Sequence, residues 1–398
     1  MTRKGVWNLQ QVRDKYLQSL WAQSYTLFSW GLNDDRGGLG HNNITAISSP
    51  KQVGSVSDWK SVSAGGKGIF LGTKEDGTLW VCGGGSPSGG NEFGQLGLNS
   101  TEGFSSPVQV PGTTWNVVQT SNMTTFATKT DGSLWSWGQN QTGVLGQSQG
   151  ASTVGAYSSP VQIPGTTWSN EFCGGVGFVL ATKTDGTLWA WGNNEQGQLG
   201  QNNKADYSSP RQIPGTSWTK CSASAMSMAT NTDGTLFTWG YNGNGELGHN
   251  NTTEYSSPRE IPGGSWDAPM GGQSSWGCTK TDGTLYMNGK QEDAGSLADN
   301  SRVNRSSPIQ VPGTTWANVY SVRGSDSPSG NWLATKTDGT LWAWGQNTSG
   351  NLAQNNKTRY SSPVQVGTET NWATGRNSVS MSPGQGYALT QTLTPSQL

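Results

Sequence analysis

Along most of the chain, apolar and polar residues alternate in short runs bounded by Gly, Asn, Asp, Ser or Pro, a period that predicts half-buried β-strands rather than helices. Residues 181–192, ATKTDGTLWAWG, show the unit clearly: two alternating arms flank Asp185-Gly186, a hairpin signal. The same Asp-Gly stands at Asp76, Asp131, Asp233, Asp282 and Asp338, where Asp is expected to form the turn by tolerating the left-handed conformation. Two further markers keep phase with it. Ser-Ser-Pro occurs seven times, with its proline at 50, 107, 160, 210, 258, 308 and 363, and a tryptophan follows each copy at 59, 115, 168, 218, 266, 316 and 372. Each unit therefore predicts four strands: one after the marker Trp, two in the hairpin, and one at the Ser-Ser-Pro segment.

The hairpin is complete only six times, and the ends of the chain supply the seventh. Residues 25–31, YTLFSWG, match its second arm, whereas residues 386–391, GYALTQ, match its first. The expected fold is all-β: a seven-bladed β-propeller of four-stranded antiparallel blades over residues 25–392, preceded by a segment at 1–24 and followed by a tail at 393–398. The last blade takes strands from both termini, from about 372–392 and about 25–54, so the ring has no long open sheet edge.

Composition sharpens this reading. Gly accounts for 58 of 398 residues and charged residues for only 12%, which suits turn-rich strands and argues against long helices or a coiled coil. The 20 tryptophans supply the bulk of the core. Phe28, Trp80, Trp135, Trp189, Phe237, Tyr286 and Trp342 share one repeat position and are expected to pack between blades. Two residues later stand Trp30, Trp137, Trp191, Trp239 and Trp344, with Cys82 and Asn288 as exceptions. Trp276 and Trp332 lie outside these positions and precede strands, so packing is expected for both. A net charge of −1 disfavours a phosphate-backbone partner, and no apolar run is long enough to span a bilayer. The four cysteines show no CxxC spacing and read as packing residues rather than zinc ligands or disulfides.

The pattern WAWGNNEQGQLGQNN at 189–203, followed by SSPRQIPG at 208–215, resembles the repeat of the regulator of chromosome condensation family. That resemblance implies a seven-bladed propeller with shared-strand closure, and a scaffold used by nucleotide exchange factors, ubiquitin ligases, enzyme inhibitors and many bacterial and viral surface proteins. The leader at 4–21 is similar to the N-terminal segment of bacteriophage tail and particle proteins. On its own residues it reads as a helix: Asn8 caps, Gln11 stands three later, and Leu9, Val12, Tyr16, Leu17, Leu20 and Trp21 share a face. With Val6 and Trp7 these are the expected anchoring residues, docking either on the propeller itself or on another virion protein.

Catalytic chemistry is scarce. His41 and His249 both follow Leu-Gly where Gln201 stands in another unit, so they read as loop variants, and a Ser-His-Asp or His-metal site is hard to build. Glu75, Glu92, Glu195, Glu246, Glu292 and Asp293 fall in different units and could pair only if loops converged. The glycines at 83–85 and 89–90 lack the Lys and Ser/Thr of a phosphate loop. The non-repeating segments 83–93, 147–157, 267–275, 290–305 and 322–332 are the expected recognition surface. The leading expectation is a non-enzymatic bacteriophage virion protein with no cofactor or metal, located in the virion. Its expected partners are other virion proteins and a host glycan or protein receptor, with no nucleic acid or membrane insertion, and with homo-oligomers left open. The alternatives are a cellular interaction propeller of the exchange-factor or inhibitor kind, and a glycan depolymerase.

Overall fold

The computed structural model describes residues 21–33, 37–66, 68–85, 90–150, 153–272, 274–291, 295–322 and 330–395. They form seven four-stranded antiparallel sheets. Six blades each use four consecutive strands, spanning 59–110, 115–162, 168–213, 218–261, 266–311 and 316–365; these are blades 1 to 6. In blade 3 the strands are Trp168–Gly174, Phe178–Lys183, Leu188–Gly192 and Tyr207–Ile213. Blade 7 is shared: Ile47–Gln52, Trp21–Gly31, Gln385–Pro395 and Val379–Met381 lie side by side in that order. The first strand of each blade touches the first strands of both neighbours, so the marker-Trp strands line the axis and the ring closes from blade 7 onto blade 1.

Closure is longer than the sequence pattern suggests. The register runs from Trp21 opposite Pro395 to Gly31 opposite Gln385, so the propeller extends beyond residues 25 and 392 at both ends. Trp21 is the first residue of a strand and not the last turn of a helix, because an antiparallel partner is present to take its backbone hydrogen bonds. Residues 1–20, with Val6, Trp7, Leu9, Val12, Tyr16, Leu17 and Leu20, lie outside the described residues, as do Glu292 and Asp293.

Each blade packs around its marker Trp. Trp115 meets Trp135 and Trp137 edge-on at 6.1 and 5.9 Å, and Trp168, Trp218, Trp266 and Trp316 repeat the arrangement in their blades. The buried indoles at the later position reach the preceding blade, where Trp137 Nε1 donates to the Gln95 carbonyl at 2.8 Å and Trp239 Nε1 to the Gln198 carbonyl at 2.9 Å. Blade 5 has Asn288 there, and Trp276 from the paired strand fills the space and donates to the Glu246 carbonyl at 2.6 Å. Trp276 and Trp332 are both fully buried, and all four cysteines are free and buried.

The Asp-Gly hairpins differ from the two-residue turn expected. Lys183 N donates to the Thr187 carbonyl at 2.9 Å and Gly186 N to the Lys183 carbonyl at 3.0 Å, which leaves a loop of Thr184, Asp185 and Gly186. The positive φ of 78° falls on Gly186, not on Asp185. Asp185 instead accepts from the Thr187 amide and hydroxyl at 3.0 and 2.7 Å, and Trp189 Nε1 donates to that same hydroxyl at 2.9 Å. The Thr187 hydrogen bonds hold the Asp185 carboxyl below the usual carboxylate range.

Candidate functional site

A cleft of about 440 Å³ opens on the face opposite the Asp-Gly loops, where blades 2, 3 and 4 meet. The loops that build it are rigid for a reason shared by blades 2, 3 and 4. A buried Asn follows the third strand and satisfies its own loop: Asn194 Nδ2 donates to the Asn203 and Ala205 carbonyls at 3.0 and 2.9 Å, while its Oδ1 accepts from Leu199 N at 2.9 Å. Asn140 and Asn242 do the same in blades 2 and 4. Because these anchors are buried and fully paired, the loop tips they carry are held in place.

The tips vary while the anchors do not. Gln141 and Thr142 stand where blade 3 has Glu195 and Gln196 and blade 4 has Gly243 and Asn244. Thr142 adopts φ 60° and ψ 17°, a left-handed conformation that is rare for a β-branched residue. Its hydroxyl donates to the Gly177 carbonyl at 3.0 Å and so ties blade 2 to blade 3 at the cleft wall. Gln139, Asn193, Gln198 and Tyr241 complete a lining rich in amides, and Glu195 is the one carboxylate among its described residues. Such a surface offers directional hydrogen bonds and one aromatic face, without a second carboxylate for acid–base hydrolysis.

A second cluster sits on the axis. In five blades three steps separate the marker Trp from the residue opposite the repeat's Ala, Gly or Cys, as in Val62, Val118, Cys221, Pro269 and Val319. Blade 3 needs four steps to Phe172, and blade 7 needs seven, from Trp372 to Val379. The extra residues meet: Arg376 Nε lies 3.4 Å from Glu171 Oε2, and Arg376 Nη2 donates to the Cys221 carbonyl. The Arg376 side chain is only 11% exposed. Burial pulls its pKa down, but Glu171 and the neighbouring thiols outweigh that and hold it above its ordinary value. Beside it a small cavity of about 10 Å³ against Val62, Ser63, Gln119 and Tyr320 has room for about one water. The one sequence signal for this pair is the unequal spacing from marker Trp to strand in blades 3 and 7.

Other singled-out residues do not converge. His41 and His249 are half-buried in equivalent loops, each ring about a hydrogen bond away from Ser29 or Thr238. Glu246 is buried and accepts from the Asn244 amide and side chain at 2.7 Å, which makes it a loop brace. Residues 266–271 and 275–280 are strands, so most of 267–275 is not an inserted loop. Among the described residues no group of three or more His, Cys, Asp or Glu could hold a metal ion, and no helix is long and apolar enough to cross a membrane.

The repeat itself decides the relationship. A model of the regulator of chromosome condensation (RCC1) repeat matches residues 26–71, 131–181, 185–229, 233–266 and 338–389, more than half of the chain. The chain belongs to the RCC1-repeat family. It is 30% identical over 181 residues to the mitochondrial RCC1 domain-containing protein RUG3 of Arabidopsis thaliana, covering 44% of this chain and 39% of that one. It is 35% identical over 124 residues to the RCC2 homolog of Xenopus laevis, covering 30% and 23%. The chain thus spans well under half the length of these curated relatives. Among solved structures, human WBSCR16 superposes with a TM-score of 0.76 at 18% identity over 92% of this chain and 99% of that one. Prp20p of Saccharomyces cerevisiae does so at 0.74 and 16% over 97% and 95%.

These findings correct the virion expectation. An RCC1-repeat chain with curated matches that include RUG3 of a plant and the RCC2 homolog of a frog is not a bacteriophage structural protein, and the virion location, the virion partners and the host receptor fall with that reading. The short leader carried that expectation, whereas the repeat runs through the whole ring.

Proposed function

We propose that this RCC1-repeat chain is a protein-interaction propeller of the exchange-factor kind, using the cleft between blades 2, 3 and 4 to dock a small GTPase. The observation that carries the reading is the combination of repeated buried Asn anchors with loop tips that differ from blade to blade at one cleft. Rigid scaffolds with variable loops are the usual way a repeat protein acquires specificity. Family membership supports the partner class: Prp20p, which has the same fold, binds Gsp1p and histones. The near-neutral net charge of −1 favours the GTPase over a strongly basic histone surface.

The test is release of a fluorescent GDP analogue from a panel of small GTPases with and without the chain. Acceleration of at least tenfold with one member is expected, together with its loss in the double variant Glu195→Ala/Tyr241→Ala at an unchanged melting temperature. Neither binding nor acceleration with any member would overturn the GTPase reading. Acceleration that survives the double variant would overturn the assignment of the cleft.

A further inference from the structure

Five blades cover their paired aromatics with a lysine of their own. Lys74, Lys129, Lys183, Lys280 and Lys336 each pair with the marker Trp across the strand and hold Nζ 4.0 to 5.2 Å from both ring centres. The ammonium lies between two π-faces with its four-carbon stem against the rings, a cation–π arrangement. Nζ also reaches the turn before the marker Trp: a methyl group built on Gly165 would lie 3.7 Å from Lys183 Nζ, and one on Gly263 3.5 Å from Lys280 Nζ.

Blade 4 departs from this pattern at three positions together. Asn231 stands opposite Trp218 in place of the lysine, and Phe237 replaces the larger Trp or Tyr. Opposite Phe237 stands Glu260, where the other six blades have Gln109, Gln162, Gln212, Gln310, Gln365 and Gln52. A site that in five blades contains its own cation has lost it here, and the position paired with Phe237 has gained a carboxylate. What remains is a groove of about 500 Å³ between blades 3 and 4, lined by Trp218, Asn231, Phe237, Pro214, Gly215 and Pro258. Trp218 is 8% exposed, whereas the other marker tryptophans are 1 to 3% exposed. The three atoms nearest to a methyl group built on Gly215 all belong to the Trp218 ring. Blade 7 shows a related change: Thr390 pairs with Trp372, Phe28 is the second ring, and a groove of about 420 Å³ includes Glu369.

We propose that the groove between blades 3 and 4 binds a lysine side chain presented by a partner polypeptide, in the place where five sister blades insert their own. The aromatic floor takes the aliphatic stem, the ring faces take the ammonium, and the exposed Glu260 adds the charge that distinguishes this groove from its sisters. An uncharged apolar side chain would fill the floor and leave the Gln-to-Glu change without a role. The site is separate from the GTPase cleft and does not depend on it.

The experiment is ¹⁹F NMR of the full chain labelled with 5-fluorotryptophan, with the Trp218 resonance assigned from Trp218→Phe. The probes are acetyl-Gly-Lys-Gly-amide, the same peptide with its lysine Nε-acetylated, and n-butylammonium chloride. The lysine peptide is expected to shift the Trp218 resonance saturably, and the acetylated peptide to bind at least tenfold more weakly because its charge is gone. Asn231→Lys restores the sister arrangement and should weaken peptide binding at least tenfold while the other tryptophan resonances stay in place. Asn231 Oδ1 also accepts from the Asp233 and Thr235 amides, so Glu260→Gln, at an exposed position, provides an independent arm with an expected severalfold loss. No shift with the lysine peptide, equal binding of the acetylated form, or unchanged affinity in Glu260→Gln would overturn the proposal. n-Butylammonium binding as tightly as the peptide would make the occupant a free amine and overturn the polypeptide assignment.

Discussion

At the scale of single residues, the two histidines show how a rare titratable group is absorbed by a repeat. Thr238 Oγ1 already donates to the Leu247 carbonyl at 2.7 Å, so at 3.0 Å His249 Nε2 must donate to that hydroxyl, which places the neutral proton on Nε2. Burial, assisted by Arg259, lowers the His249 pKa to about 4. The unfolded chain therefore takes up this proton near its ordinary pKa of about 6.5 while the folded chain resists it. The stability contribution is complete above about pH 6.5 and is lost as pH falls towards 4. His249→Gln, which copies Gln201 of blade 3, is expected to reduce the loss of stability over that window by about 1 kcal/mol, allowing for a half-exposed ring. Urea titrations at pH 7 and pH 4.5 read it, and identical pH dependence in the two proteins would show that His249 is not a buried neutral base. The position was legible from the Leu-Gly-His-Asn-Asn motif, but the tautomer depends on Thr238, brought there by strand pairing.

At the scale of the element, a blade depends on filling the space between its third strand and the preceding blade. Where blade 5 has Asn288 in place of the repeat Trp, Trp276 enters from the neighbouring strand and makes the same type of bond to a loop carbonyl. Blade 1 solves the same problem differently: Phe70, paired with Cys82, stacks on Tyr387 of blade 7 at 5.1 Å. Trp276→Ala should therefore cost about 3–5 kcal/mol, as for other fully buried aromatics. Trp342→Ala, at a half-buried ring, should cost clearly less. Chemical denaturation of both variants measures the difference, and equal costs would mean that Trp276 is not the substitute for the missing indole. Sequence periodicity marked Trp276 as an exception to the repeat, but the compensation needed the register that places it opposite Asn288. The Asp-Gly loops carry a similar lesson. Their positions were plain from the dipeptide, while the role of Asp was not, because at Asp76, Asp185 and Asp338 its partner is a Thr whose hydroxyl also holds a Trp.

At the scale of the whole molecule, stability rests on one shared blade. The strand Gln385–Pro395 pairs on one side with Trp21–Gly31 and on the other with Val379–Met381, and it buries Tyr387, Ala388 and Leu389. Deleting residues 385–398 is expected to cost about 5 kcal/mol or more in buried apolar surface and to open the ring. In urea titrations the deleted chain is expected to unfold at lower denaturant and over a broader range than the full chain, whereas an unchanged transition would show that the other blades hold the ring without closure. Blade number, strand order and closure by both termini were determined by the sequence alone, because strand period, turn residues and buried aromatics are local signals repeated in phase around the ring. The axial pair of Arg376 and Glu171, the cleft with its strained Thr142, and the groove at Trp218 were decided only by the tertiary structure. Each depends on residues far apart in the chain, and their proximity is set by how one blade stacks on the next or faces another across the axis, which no local pattern records.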